Sequence, residues 1–177
     1  MAHKPTIYKC RIALSDLDRQ HYDDLNLTIA LHPSETIERM VARILAFCLN
    51  ARQNLIFCKG LSDADEADLW ARDLNDTCEL WIDVGEPAVD RIKKASRIAK
   101  AVKVYSFNSK SDTWWAQNKN SLQALKAEYF QFPWEQIQAL ASLVQKTMDW
   151  SMTISENSLF VSTEHGDCEV NCLALSQ

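Results

Sequence analysis

The stretch ELWIDVGEPAVDRIKKASRIAKAVKVYSF, residues 79–107, limits what this 177-residue chain can fold into more than any other. Its first seven residues are apolar on both sides of the pleat, the pattern of a central strand covered on both faces. Residues 88–101 then repeat with helical spacing, with Val89, Ile92, Ala95, Ser96 and Ala99 inward. VKVYSF, 102–107, is a second strand. Strands joined through a helix run parallel, so a β-α-β unit is expected and the fold class is α/β.

Antiparallel strands are expected at both ends of that unit. TIYKCRIAL, 6–14, alternates with Tyr8, Cys10, Ile12 and Leu14 on one face, and NLTIAL, 26–31, alternates again after an acidic loop. Residues 34–49 change period: Ile37, Met40, Val41, Ile44, Leu45, Phe47 and Cys48 form a helical stripe, with Ser34 as its expected N-cap. A short strand at 54–58 stops at Gly60, and an acid-rich connection follows, with one helical turn predicted in DEADLWARDL and a cap at Ser62 or Asp63. Beyond 107 the spacing predicts a short helix around Trp114 and Trp115, a strand within KAEYFQF, and a helix over 134–147. Three alternating segments follow, with turns at Glu156-Asn157 and at His165-Gly166-Asp167. The expectation is one mixed sheet in a single domain over 1–177, flanked by helices.

Composition excludes several classes. Hydrophobic residues make up 47% of the chain, ample for a core, and charged residues 24%, too ordinary a share for disorder. A formal net charge of −5 argues against a protein that coats nucleic acid by charge alone. No apolar run has signal-peptide or membrane-spanning length, so no membrane role is expected. The six cysteines form no CxxC pair and most fall inside apolar patterns, which reads as reduced thiols in the cytoplasm. Three glycines cannot build a phosphate loop, and the four histidines lack zinc-ligand spacing.

Charge is unevenly placed. Ten acids lie between Asp63 and Asp90 against one base, Arg72, and then Arg91, Lys93, Lys94, Arg97, Lys100 and Lys103 reverse the sign. Carboxylates suit a hard cation, and an adjoining basic stripe suits a phosphate backbone, although most charged residues simply face water. Asp83 stands apart, because it ends a buried strand at the carboxyl edge, where α/β sheets bind ligands and where a carboxylate needs a partner. Glu86, before Pro87, fits the positive end of the following helix. In the first helix Glu38 lies at the margin of the apolar stripe, a position that can reach over a sheet edge. Glu35 lies outside it, four residues before Arg39, as an exposed ion pair. Asp65 and Glu66 are the acids of the connection selected as metal ligands. Trp114-Trp115 could stack on bases, but an adjacent helical pair is more often half core and half surface.

The segments TIYK, LTIALHPSETIERMVARILAF, KGLSDADEADLW, LWIDVGEP, RIKKAS and WW, in this order and over nearly the whole chain, resemble the bacterial YaeQ family. That resemblance implies a variant of the restriction-endonuclease-like PD-(D/E)xK fold: a helix carrying an acid, strands carrying an acid and a D/E-x-K motif, a helix and another strand. It implies Mg²⁺, or Mn²⁺, held by acids, with a lysine assisting attack on a phosphodiester. Glu38, or in second place Glu35, resembles the helix acid and Asp83 the acid of the last motif, and Lys93 or Lys94 substitute for the missing lysine, since Gly85 holds its position. Arg91, Arg97 and Lys100 are then the nucleic-acid contacts. The expectation is a Mg²⁺-dependent nuclease acting on DNA or RNA. The alternative is a non-catalytic protein that kept the fold to bind nucleic acid or a protein partner.

Overall fold

The computed structural model describes residues 4–61 and 63–176, so the Ser62 cap lies outside the described residues. Among them are four helices and eleven strands in two mixed sheets, not the single sheet expected. The chain divides into two compact units, each assembled from separate segments: 1–49 with 133–172, and 50–132 with 173–177.

In the first unit, β1 (Thr6–Asp16) and β2 (His21–Leu31) form a longer hairpin than alternation alone predicts. The acidic stretch belongs to β2, where Asp24 pairs with Arg11 of β1 on the exposed face. β8 (Thr147–Ser155) lies parallel to β1, and β9 (Ser158–Thr163) and β10 (Gly166–Asn171) follow antiparallel, giving the order β10-β9-β8-β1-β2. Glu156 and Asn157 have positive φ, so the first tail turn falls where it is expected. One sheet face is apolar through Ile12, Ile29, Trp150, Ile154 and Leu159, all buried.

α1 (Ile37–Leu49) starts later than the spacing predicts. The Arg39 N–H donates to the Thr36 hydroxyl at 3.2 Å, so Thr36 is the cap, and Ser34 is turned to His32. Glu35 is buried before it, accepting two bonds from Arg43 (2.8 and 2.6 Å) as well as its pair with Arg39. The spacing predicts the Glu35–Arg39 pair as exposed. The structure buries it, because Arg43, one turn beyond Arg39, closes over the same carboxylate. α4 (Trp134–Ala141) is shorter than 134–147, and Met148 belongs to β8.

The second unit holds the order β11-β7-β6-β5-β4-β3. The predicted helical turn in DEADLWARDL is instead β4 (Leu69–Arg72), paired with β3 (Leu55–Phe57) on one side and β5 (Cys78–Val84) on the other. Cross-strand packing of Trp70 on Trp81, ring centroids 5.9 Å apart, supports that strand. β5 is buried on both faces and runs parallel to β6 (Ala99–Ser106) after α2 (Val89–Ile98), as expected. α3 (Ser111–Gln123) leads to β7 (Glu128–Gln131), also parallel, and β11 (Leu173–Ala174) pairs with β7. Trp81, Ile92, Ala95, Val102, Val104, Leu122 and Tyr129 form the core on the α2 side of the sheet. No helix among the described residues is long and apolar enough to cross a membrane.

Candidate functional site

Asp83 is the sixth residue of β5 and points to the same side as Trp81, toward α2. It is 1% exposed. Such a carboxylate must be satisfied by donors, and the donors come from Arg91. Arg91 Nε donates to Asp83 Oδ2 at 2.7 Å and Nη2 to Oδ1 at 3.0 Å, a two-point fork. The same guanidinium donates to the Glu66 carbonyl at 2.8 Å and the Ala64 carbonyl at 3.4 Å, and lies 5.5 Å from the centre of the Trp81 ring. One side chain thus binds strand, acidic connection and helix together.

A second buried acid lies beside it. Asp68 stands just ahead of the last ladder pair, Leu69 with Ile82, and close enough to Asp83 for its charge to act on that carboxyl. The Asp68 N–H donates to the Ile82 carbonyl at 3.1 Å, and its Oδ2 accepts the Val84 N–H at 2.7 Å. Burial pushes the Asp83 carboxyl above its usual range, Arg91 draws it down, and the neighbouring negative charge of Asp68 raises it again. The Trp81 indole N–H also favours the charged form, yet buried Nε1 closes no hydrogen bond of regular geometry.

Gly60 approaches closely here. A Cβ on it would stand 2.4 Å from Asp68 Oδ1 and 2.6 Å from the Asp68 amide nitrogen. The strand stop seen in the sequence at Gly60 is therefore what lets the connection fold back onto the acid.

The structure separates the residues selected from the sequence. Asp83 and Arg91 stand at the centre, although Arg91 holds the carboxylate instead of facing a nucleic acid. Asp65 and Glu66 do not face Asp83: Asp65 forms an exposed ion pair with Lys94, and the Glu66 carboxylate accepts the Lys59 N–H at 2.8 Å. Lys93, Arg97 and Lys100 are exposed along α2 and the start of β6. The base that reaches Asp83 is thus Arg91, not Lys93 or Lys94. It lies in the first turn, where helical side chains lean back toward the N-terminus and so toward the end of β5. Glu86 is no helix-end anion: it accepts the Phe107 N–H at 3.1 Å and the Asn108 N–H at 3.4 Å, tying the ends of β5 and β6, and burial raises its pKa. Glu38 lies in the first turn of α1, half-buried, within the first unit, together with Glu35 and Arg39. Trp114 donates to the Pro87 carbonyl and Trp115 packs on Tyr129, a structural pair.

Sequence reasoning misses Asp68. Its signal is position: it is the last acid before the alternating LWAR, fifteen residues ahead of Asp83 and so able to meet it across a short hairpin.

A hard cation takes several oxygen ligands, and among the described residues no three His, Cys, Asp or Glu side chains converge to hold a metal. Both oxygens of Asp83 are engaged by a guanidinium. In this arrangement the donor set does not fit Mg²⁺ or Mn²⁺.

The family model of the YaeQ protein matches residues 1–172. The chain is 37% identical to the uncharacterized protein YaeQ of Escherichia coli K12 and 36% identical to that of Salmonella typhi, covering 100% of this chain and 99% of each relative. The crystal structure of YaeQ from Xanthomonas axonopodis pv. citri superimposes with a TM-score of 0.94 at 32% identity, over 97% of this chain and 98% of that one. For YaeQ from Pseudomonas syringae the values are 0.93 and 35%, over 98% and 97%. With sequence, fold and chain length all in agreement, the chain belongs to the YaeQ family.

Proposed function

We propose that this protein is a variant of the restriction-endonuclease-like PD-(D/E)xK fold that binds a nucleic-acid phosphate backbone without hydrolysing it. The observation that carries the loss of hydrolysis is the two-point bond between Arg91 and Asp83. It joins a fixed guanidinium to the carboxylate that corresponds to the motif acid, where a nuclease keeps an acid open to a metal. Support for the fold comes from β4, β5, α2 and β6 following in the order that fold requires, with Asp68 just ahead of β4 and Asp83 near the end of the neighbouring β5. Support for a phosphate partner comes from the exposed Lys93, Arg97 and Lys100. A chain of net charge −5 would make such contacts locally, through this face.

A second reading, a metal-dependent phosphodiesterase, draws on the buried Asp68–Asp83 pair, since acids crowded together commonly mark chemistry. One experiment separates them. Single- and double-stranded DNA and RNA are titrated with the protein and with K93A/R97A/K100A at several salt concentrations, and incubated with Mg²⁺ or Mn²⁺. The binding reading expects salt-sensitive affinity whose log–log slope falls by about 2–3 in the triple variant, with no cleavage. Cleavage that vanishes in D83N would replace it with the phosphodiesterase. Absence of both binding and cleavage rejects both.

A further inference from the structure

We infer that the outer edge of β10 accepts an extended basic segment of another protein, added antiparallel as one more strand, with lysine or arginine at alternate positions facing Asp167 and Glu169. None of the residues of the proposed nucleic-acid face takes part.

β10 is an edge strand of the first unit's sheet. Its pairing with β9 fixes where each backbone group points, since bonded residues alternate along an antiparallel pair. The Cys172 N–H donates to the Asn157 carbonyl at 2.8 Å, so in the same register Val170, Cys168 and Gly166 bond inward to β9. Asp167, Glu169 and Asn171 therefore direct their N–H and carbonyl groups away from the sheet. At Asn171 that outward N–H is met by Gln136 Oε1 of α4 at 2.7 Å, as a neighbouring strand would meet it. Among the described residues, the outward groups of Asp167 and Glu169 meet only the Cys168 thiol, 3.8 Å from the Glu169 carbonyl. Such a row is a template for an added strand.

Charge selects the occupant. Residues 147–177 contain Asp149, Glu156, Glu164, Asp167 and Glu169 and neither lysine nor arginine. Bases on the same sheet face, Lys9 and Arg11, stand in β1, separated from β10 by β8 and β9, and Arg11 is paired with Asp24. The side chains of Asp167 and Glu169 lie opposite Ser162 and Phe160 of β9, and with Ser151 and Thr153 of β8 they line a shallow groove of about 360 Å³. Phe160 is 45% exposed in it, and a lysine or arginine stem reaching over Glu169 would cover its ring. A second copy of β10 fits poorly, because antiparallel self-pairing sets carboxylate against carboxylate. A strand with alternate basic residues places two cations over the two acids and exchanges two backbone bonds with each of Asp167 and Glu169.

The probe is a ten-residue peptide of alternating lysine and threonine, fluorescently labelled and titrated at low salt. Beside it are its glutamate-threonine counterpart, a version N-methylated at the lysines and one N-methylated at the threonines. In the inferred pairing the lysine N–H groups face β10 and the threonine N–H groups face away. The lysine peptide should bind about tenfold or more tighter than the glutamate peptide, and D167N/E169Q should weaken it about tenfold. Both positions are exposed, so this variant is expected to fold. Methylation at lysine should weaken binding about tenfold, methylation at threonine far less, and the bound peptide should slow amide exchange at Asp167 and Glu169. Absence of binding overturns the inference, as does binding unchanged in D167N/E169Q. Equal binding of the two methylated peptides means attraction by charge without strand addition and also overturns it. Sedimentation of the protein alone tests the remaining occupant: a dimer strengthened by D167N/E169Q would give the edge to a second copy and reject the basic segment.

Discussion

Asp83, Glu86 and Gly60 show how single residues set the second unit. Glu86 is a half-buried carboxylate with two backbone donors, and its partial burial outweighs them to raise its pKa above the ordinary 4.5. A carboxyl with a raised folded-state pKa binds more protons folded than unfolded, so its contribution to stability falls as pH rises from 4.5 through the raised value. E86Q keeps an acceptor for Phe107 and lacks that titration. Its stability relative to the wild type should therefore improve with pH across this window, as urea unfolding at a series of pH values will show. Gly60 is a packing requirement: G60A drives a methyl group into the backbone of residues 67–68, and a loss of about 1–3 kcal/mol is expected in the same assay. A change smaller than about 0.5 kcal/mol would mean that the connection shifts freely around Asp68.

Elements are legible where periodicity is strong and obscure where it breaks. α2 and the parallel strands around it follow from a doubly apolar strand, a helical stripe and a second strand, all local signals. β4 reads as a helical turn because the four residues LWAR are too few for either period to win, and pairing with β3 and β5 decides their state. The start of α1 is ambiguous because Ser34 and Thr36 both suit an N-cap, and only the backbone path shows which hydroxyl meets an amide. T36A should therefore cost about 1 kcal/mol and S34A almost nothing, a contrast readable from thermal unfolding of the two variants. Thiol accessibility tests the same elements: burial pushes Cys10 in β1 up to about 12 and raises Cys48 in α1 further. Both should resist alkylation in the folded protein and react on unfolding.

At the scale of the whole molecule, the two units are interleaved along the chain: the first closes with β8 parallel to β1, joining Lys9 to Thr147, and the second closes with β11 against β7. The final strand is only two residues long, yet the Leu175 N–H donates to the Tyr129 carbonyl at 2.8 Å and the Tyr129 N–H to the Ser176 hydroxyl at 3.3 Å. Ending the chain after Cys172 should destabilise the edge at β7 by about 1–2 kcal/mol and speed amide exchange of Tyr129 and Phe130. Unchanged exchange there would show that β7 needs no outer neighbour.

The sequence by itself determined the α/β class, the parallel unit, the hairpins at both ends, the buried position of Asp83 and membership of the family, because these depend on local periodicity, turn chemistry and residue order. Only the tertiary structure decided that there are two sheets, that Asp68 joins Asp83, and that Arg91, one of six bases within thirteen residues, is the one that reaches the acid. Those outcomes depend on which distant strands pair and on which side chain of a helix leans toward the strand end, and neither leaves a period in the sequence.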